Sequence, residues 1–316
     1  MKLISIIFSF RNEEKNLVEL IQRVKSTFKK MDNWNYELIF VNDNSSDNSE
    51  KILIDLQKDN PINIINMSRT FGFGPCVLAG FRNASGECVI YMDSDLQDPP
   101  ELIPKLIKEY ENGAEVVHTV RSKRLGENKV KMFITKLAYK VINYFSDIDL
   151  PIEAGDFKLI SKKVINIIIN LKEFDPYIRG LSVWAGYKQV FIKYDRNQRA
   201  SGKTHFSIFS KGPILEFLRG LTSYSTKPLY ISMLVGLFGI ILSIIILVYA
   251  LYLKLNNLSV PGTAGILVVI SFFSGNILIS LGVLGIYIGK IFDQTKNRQQ
   301  YIIKEIKKHN IYKIEA

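Results

Sequence analysis

Cysteine is scarce in this 316-residue chain: Cys76 and Cys88 stand in segments that read as a helix and a buried strand, and neither has metal-ligand spacing. A reduced, cytosolic compartment fits them. Histidine is equally thin: His118, His205 and His309 are scattered, and none pairs with cysteine in a zinc pattern. Neither a G-x-S-x-G elbow nor a P-loop occurs, which removes the hydrolase and P-loop classes. The glycines of "SRTFGFGPCVLAG" stop short of a dinucleotide fingerprint, because Val77 stands where the third glycine is needed and the motif does not follow the first strand. A nicotinamide dehydrogenase is therefore not expected. With Ser68 and Arg69, these glycines suit a loop that lines a nucleotide or lets backbone approach a ligand closely.

Charge is missing altogether from two long stretches. Leu229 to Leu253 and Ala264 to Ile288 contain no Asp, Glu, Lys or Arg. About 20 apolar residues suffice to cross a bilayer, so both read as spanning helices. They account for a hydrophobic fraction of 47% and a positive mean hydropathy. The formal net charge of +11 clusters beside them. Lys211, Arg219 and Lys227 precede the first run, and Lys290, Lys296, Arg298, Lys304, Lys307 and Lys308 follow the second. The connector from Lys254 to Thr263 has one lysine. Positive charge collects on the cytoplasmic side of membranes and attracts anionic lipid. Both ends are thus expected in the cytosol and the connector outside. Met1-Lys2 runs at once into an alternating, strand-like segment, so no leader is expected there. No basic-aromatic repeat points to nucleic acid as a partner.

Residues 1 to about 120 alternate between two textures. Leu3–Phe10, Tyr36–Asn42, Ile62–Asn66, Cys88–Met92 and Glu115–Val120 are short and apolar, and predict strands. Glu13–Lys30, Asp47–Lys58, Phe73–Asn83 and Glu101–Asn112 predict the helices between them, with Asp47, Ser49 and Pro99-Pro100 as start signals. This rhythm predicts an α/β fold with a mainly parallel sheet covered on both faces. Further helices are expected over 128–146 and 161–171, and a strand over Gln189–Tyr194. Phe206 to Ser223 mixes aromatics and leucines with Lys and Arg, an amphipathic approach to the membrane surface. The resulting units are a cytosolic domain (1–205), an interface segment (206–227), a two-helix hairpin (228–290) and a basic cytosolic tail (291–316). Gly285 with Gly289, and Ser271 with Gly275, allow close helix packing within the hairpin or between copies of the chain.

Ligands of open α/β sheets sit beyond the carboxyl ends of the strands. There the chain places "SFRNEE", "VNDNSSD" and "MDSDLQD". Asp93, Asp95 and Gln97 form an oxygen-rich set suited to a hard divalent ion, Mg²⁺ or Mn²⁺. Taken singly, Glu13 could be a helix-dipole residue, Arg69 a surface charge and Asp156 a turn residue.

Together with "SRTFGFGPCVLAGF", "YMDSDLQDPPELIPKLI", "EAGDFKLIS", "YIRGLSVWAGYKQ" and "YDRNQRASGKTHFS", these motifs resemble glycosyltransferase family 2, in particular its polyisoprenyl-phosphate glycosyltransferases. The resemblance covers nearly the whole chain. It implies a GT-A-type nucleotide-sugar-binding domain, an amphipathic juxtamembrane segment and two transmembrane helices. It further implies that Asp93, Asp95 and Gln97 hold the metal and the diphosphate, with Asp95 also catalytic. Glu13 and Asp43 would hold the nucleoside, Arg199 and Lys203 would meet phosphates, and Asp156 would lie at the reaction centre. Two departures bear on the base-binding wall: Phe10-Arg11 replaces the usual Pro-Tyr before N-E-E, and Asn42-Asp43-Asn44-Ser45 replaces Asp-Asp-Gly-Ser. The implied activity is inverting transfer of a sugar, by default from UDP-glucose, to polyisoprenyl phosphate at a bacterial inner membrane. A lipid-sugar flippase and self-association through the hairpin would follow. The alternatives are a processive polysaccharide synthase, whose Q-x-x-R-W motif is missing, and an inactive membrane adaptor, against which the intact acids argue.

The charge asymmetry yields a first prediction. A topology reporter fused after His309 should read cytoplasmic, and one inserted within Asn256–Pro261 should read external. A protected C-terminal reporter would refute the orientation.

Overall fold

The computed structural model describes residues 1–124, 129–149, 151, 154–196, 211–256 and 262–309. The expected strands are present as β1 (Lys2–Phe10), β2 (Trp34–Asn42), β3 (Ile62–Met67), β4 (Cys88–Asp93) and β5 (Val116–Arg124). Between them run α1 (Leu17–Phe28), α2 (Ser49–Leu56), α3 (Phe73–Asn83) and α4 (Ile103–Glu111), the last preceded by a 3-10 turn at Pro100–Leu102. Then follow α5 (Lys129–Phe145), β6 (Ala154–Ser161), α6 (Lys162–Asn170), α7 (Ile178–Trp184) and β7 (Gln189–Arg196). The remainder is α8 (Lys211–Ser223), α9 (Lys227–Leu255), α10 (Thr263–Thr295) and β8 (Ile303–Lys307).

The strands join in one sheet of order β7-β5-β6-β4-β1-β2-β3-β8. Its centre, β4-β1-β2-β3, is parallel, as are β5 and β7. β6 is wedged antiparallel between β4 and β5, and β8 closes the far edge antiparallel to β3. Side chains of a strand alternate between faces. Thus Ile6, Phe8, Phe40 and Ile90 face one layer with α1, α2 and α4, whereas Ile7, Ile39, Val89 and Tyr91 face the other with α3, α6 and α7. Both faces are dry, as a parallel sheet requires.

One expectation needs correction, and two strands were not expected. α1 begins at Leu17 rather than Glu13, because the backbone before it is committed elsewhere: Glu13 N donates to Ser49 Oγ (3.0 Å) and Glu14 N to Asp47 Oδ2 (3.2 Å). β6 runs through "AGDFKLIS", which the apolar pattern did not mark as a strand. The basic tail contains an ordered edge strand. In it Lys307 Nζ pairs with Glu50 Oε1 at 2.7 Å, Gln57 Nε2 donates to Lys307 O, and Ser68 N donates to Ile302 O.

α9 and α10 carry two segments long and apolar enough to cross a bilayer, Lys227–Leu255 and Val268–Thr295. Core helices of that length would bury a face, yet only 6% of one apolar window and none of the other is buried. Pro228 sits in the first turn of α9, where its missing amide costs nothing. Phe273 of α10 closes on Gly239 of α9. A Cβ at Gly275, Gly285 or Gly289 would meet no described heavy atom within 4 Å, so these small residues are not what joins the two helices. A cavity of about 650 Å³ lies in the hairpin, away from the strand ends. α8 packs on α5, with Phe217 and Gly220 against Ile142.

The edge strand predicts a hydrogen-exchange pattern. Those amides of Ile303–Lys307 that bond to β3 should exchange more slowly than in an unstructured peptide, while the alternate amides of this edge strand stay fast. Exchange of the C-terminal segment at the rate of an unstructured peptide would rule the strand out.

Candidate active site at the carboxyl edge of the sheet

Register brings the polar loops together. Phe10 pairs with Asn42 and Ser9 with Asp93, so β1, β2 and β4 end at one level. Asn42 also pairs with Asn66, which adds the loop after β3. Glu13, Asp43, Ser68, Arg69, Asp93, Asp95 and Gln97 all lie on loops or strand ends of this edge.

The turn after β4 is built for its acids. Leu96 holds φ +62°, a left-handed conformation that costs a bulky residue roughly 1–2 kcal/mol. Its side chain is nonetheless anchored in the core, which holds the turn in that shape. Gln97 N donates to Asp95 Oδ1 at 3.1 Å. Asp95 is buried, while Asp93 and Gln97 are half-buried. Among the described residues no three His, Cys, Asp or Glu converge as a ready metal cage. Two carboxylates and an amide still fit Mg²⁺ chemistry, because that ion commonly takes one or two protein carboxylates and completes its shell with water and substrate phosphate. The third acid of the motif has other work: Asp98 is buried and accepts a hydrogen bond from Tyr194 of β7, tying the turn to the neighbouring part of the sheet.

Asp43 is buried, and its carboxylate accepts from two successive amides, Phe71 N at 2.7 Å and Gly72 N at 3.0 Å. It thereby clamps the loop that presents the exposed Ser68 and Arg69, and Arg69 covers the ring of Phe71 at 4.0 Å. Asn44, standing where the resemblance expects glycine, has φ +58°. Asparagine tolerates that region far better than most residues, so the replacement preserves the turn. Glu13 Oε2 accepts from Asn16 Nδ2, beside the start of α1.

Asp156 is a strand residue of β6, not a turn residue, and sequence reasoning did not supply its partner. Arg179 of α7 grips it with both arms: Nε to Oδ1 at 2.7 Å and Nη2 to Oδ2 at 2.5 Å. Burial alone would raise the Asp156 pKa, but Arg179, helped by Lys158 and Arg121, holds it at about 2. Lys158 is itself buried beside Ser182, and burial lowers its pKa to about 8 against the pull of Asp156. Only a search for a bidentate partner in space finds Arg179, because nothing in the spacing of residues 156 and 179 signals a contact. Arg199 and Lys203 lie outside the described residues.

Residues 5–168 match the family described as glycosyl transferase family 2. The chain belongs to that family. A glycosyltransferase of Bacillus subtilis, YkcC, is 38% identical over 95% of this chain and 93% of its own. The bactoprenol glucosyl transferase of Shigella phage SfII is 34% identical over 97% of this chain and 99% of its own. Mannosyl-3-phosphoglycerate synthase from Rubrobacter xylanophilus overlays with a TM-score of 0.47 at 12% identity, over 70% of this chain and 73% of that one. The family's chemistry is glycosyl transfer, and the carboxyl edge of the sheet is the candidate site for it.

The buried pair predicts a pH response. The Asp156 value in the folded chain lies below its ordinary 3.8, so the stabilisation it gains is complete above about pH 4 and is lost as pH falls towards 2. Arg179→Gln should cost up to about 3 kcal/mol at pH 7, below the full range for closed pairs because Arg179 is 30% exposed. Without the guanidinium, burial raises the Asp156 pKa in the variant, so the gap between the thermal melts of parent and variant should be widest at neutral pH and should narrow as pH falls and the variant's Asp156 takes up its proton. A gap that stays constant from pH 7 to pH 3 would mean that another group governs the difference.

Proposed function

We propose that the protein is a membrane-bound, inverting transferase that moves glucose from UDP-glucose to polyisoprenyl (undecaprenyl) phosphate. The observation that carries this reading is the union, in one chain, of the acidic turn after β4 with two bilayer-length helices, the second of which bonds to the loop leading into α7, whose Arg179 grips Asp156. The near full-length similarity to a protein named bactoprenol glucosyl transferase supports the acceptor and the sugar.

In this reading an acceptor phosphate oxygen attacks the anomeric carbon as the bond from that carbon to the nucleoside diphosphate breaks. UDP leaves with the bonding pair, and the configuration inverts. Glu13, Ser68 and Arg69 bind the donor on the loops that Asp43 and Ser49 stiffen. Arg199 and Lys203 meet phosphates of donor or acceptor. Mg²⁺ or Mn²⁺, held by Asp93, Asp95 and Gln97, would supply positive charge against the departing diphosphate. Asp156 does not serve as a base, since its value near 2 and its two bonds to Arg179 keep it an anion that orients its neighbours. None is needed: a phosphate monoester has its second pKa near 6 and is already mostly dianionic at neutral pH. The product, a lipid-linked sugar made at the cytoplasmic leaflet, calls for a flippase-class partner. The unused glycine face of α10 suits contact with a second copy.

The test is transfer by the full chain in vesicles containing undecaprenyl phosphate, with a panel of labelled nucleotide sugars. UDP-glucose should be the best donor, and a chelator should abolish turnover until Mg²⁺ or Mn²⁺ is restored. The acid limb of kcat/KM should fall near pH 6, set by the acceptor, rather than near pH 4. Equal turnover in excess chelator would remove the metal, and transfer only from another nucleotide sugar would replace the donor.

A further inference from the structure

α7 is a short helix with three differently employed neighbours. Arg179 turns to Asp156, Ser182 to Lys158, and Gly180 to something outside the sheet. A Cβ built on Gly180 would lie 2.2 Å from Cε2 and 2.7 Å from Cζ of Tyr224. A side chain there would have to displace the Tyr224 ring, which rests on bare helix backbone. Its hydroxyl donates to Tyr177 O at 3.1 Å, at the carbonyl that also receives the Gly180 and Leu181 amides. Tyr224 stands in the link between α8 and α9, directly before the first bilayer-length helix.

The second such helix braces the same spot. Tyr287 Oη donates to Ser225 O at 2.7 Å and Lys290 Nζ to Ser223 Oγ at 3.3 Å. Further along α10, Gln294 accepts from Phe174 N at 2.8 Å and donates to Lys172 O. Arg219 of α8 pairs with Asp175 at 2.7 Å. The loop leading into α7 is therefore held from the hairpin side at residues 172, 174 and 175, and α7 itself is capped by Tyr224. Packed interiors transmit displacement because they have little free volume.

We infer that Tyr224 is a positioning residue: seated on Gly180, it sets the height of α7 and so the place of the Arg179 guanidinium that orients Asp156. The hairpin is then a structural component of the acceptor side of the site as well as an anchor. This rests on the proposed transfer to a lipid phosphate. A shift of about 1 Å in a group that orients reactants lowers turnover by up to about a hundredfold while leaving distant ground-state contacts alone.

The experiment uses the full chain in lipid vesicles, with kcat and donor KM measured separately. Gly180→Ala should lower kcat at least about tenfold and leave donor KM within about twofold, because the donor loops lie at the other strand ends. Tyr224→Leu should do the same by removing the seat. Combined, the two changes should recover at least about fivefold of the kcat lost by Gly180→Ala alone, since the smaller residue admits the new methyl. Parent-like kcat in Tyr224→Leu overturns the proposal even if Gly180→Ala does not accumulate. So do equal losses in kcat and donor affinity, or strict additivity in the double variant. Hydrogen exchange across 177–185 gives a reading independent of turnover: Tyr224→Leu should speed it selectively, with β1 and β4 unchanged. Unaltered exchange there sinks the positioning role, whereas a parent enzyme inactive towards undecaprenyl phosphate sinks only the functional reading.

Discussion

Parallel register is the constraint on which the rest depends. Because β1 pairs in step with both β2 and β4, the chain leaves all three strands at one edge, and it must do so with polar loops. Those loops then satisfy one another: Asn12 Oδ1 accepts from Ser46 N, Glu14 Oε2 from Asn48 N, and Asp43 from Phe71 and Gly72. A slip of one residue would send every inward side chain to the opposite face, so the dry core on both sides of the sheet also locks the register of the site. Packing and chemistry are fixed by the same hydrogen-bond ladder.

The other organising feature is buried charge. Asp156, Lys158, Arg121 and Arg179 occupy adjoining positions where desolvation is expensive, and they are tolerable only as a group. Asp98 and Tyr194 extend that group towards the acidic turn. Such a cluster adds little to stability compared with apolar side chains of equal size. It does provide fixed charge whose orientation need not reorganise when a reacting group carries a changing charge.

Much of this was legible in the amino-acid sequence, for reasons that particular residues make plain. β1 to β4 are mostly apolar, β5 begins so, and all stand between helices of clear amphipathic period, so the alternation revealed them. The bilayer-length helices announced themselves by lacking charge. β6 escaped because Asp156 and Lys158 interrupt its apolar texture, and the partners that neutralise them come from α7 and from other strands. β8 escaped because "IKEIK" is an exposed edge whose strand exists only where β3 offers it a ladder. Of the site, the acids of the β4 turn stood out by their place after an apolar strand and the resemblance added their implied role, while Arg179, Lys158 and the Gly180–Tyr224 contact are purely tertiary. The late start of α1 has the same origin, since Ser49 and Asp47 claim the amides of Glu13 and Glu14.

The position of β8 bears on how the protein comes into being. β3 has one outer edge, and the strand that covers it is encoded after both α9 and α10. During synthesis that edge stays open until the hairpin has left the ribosome. An open strand edge is a template for pairing with foreign chains. The nascent domain is thus open to mispairing until both long apolar helices have been made, and completion of the sheet waits on them. The last strand of the sheet therefore couples the folding of the glycosyltransferase domain to the synthesis of the hairpin.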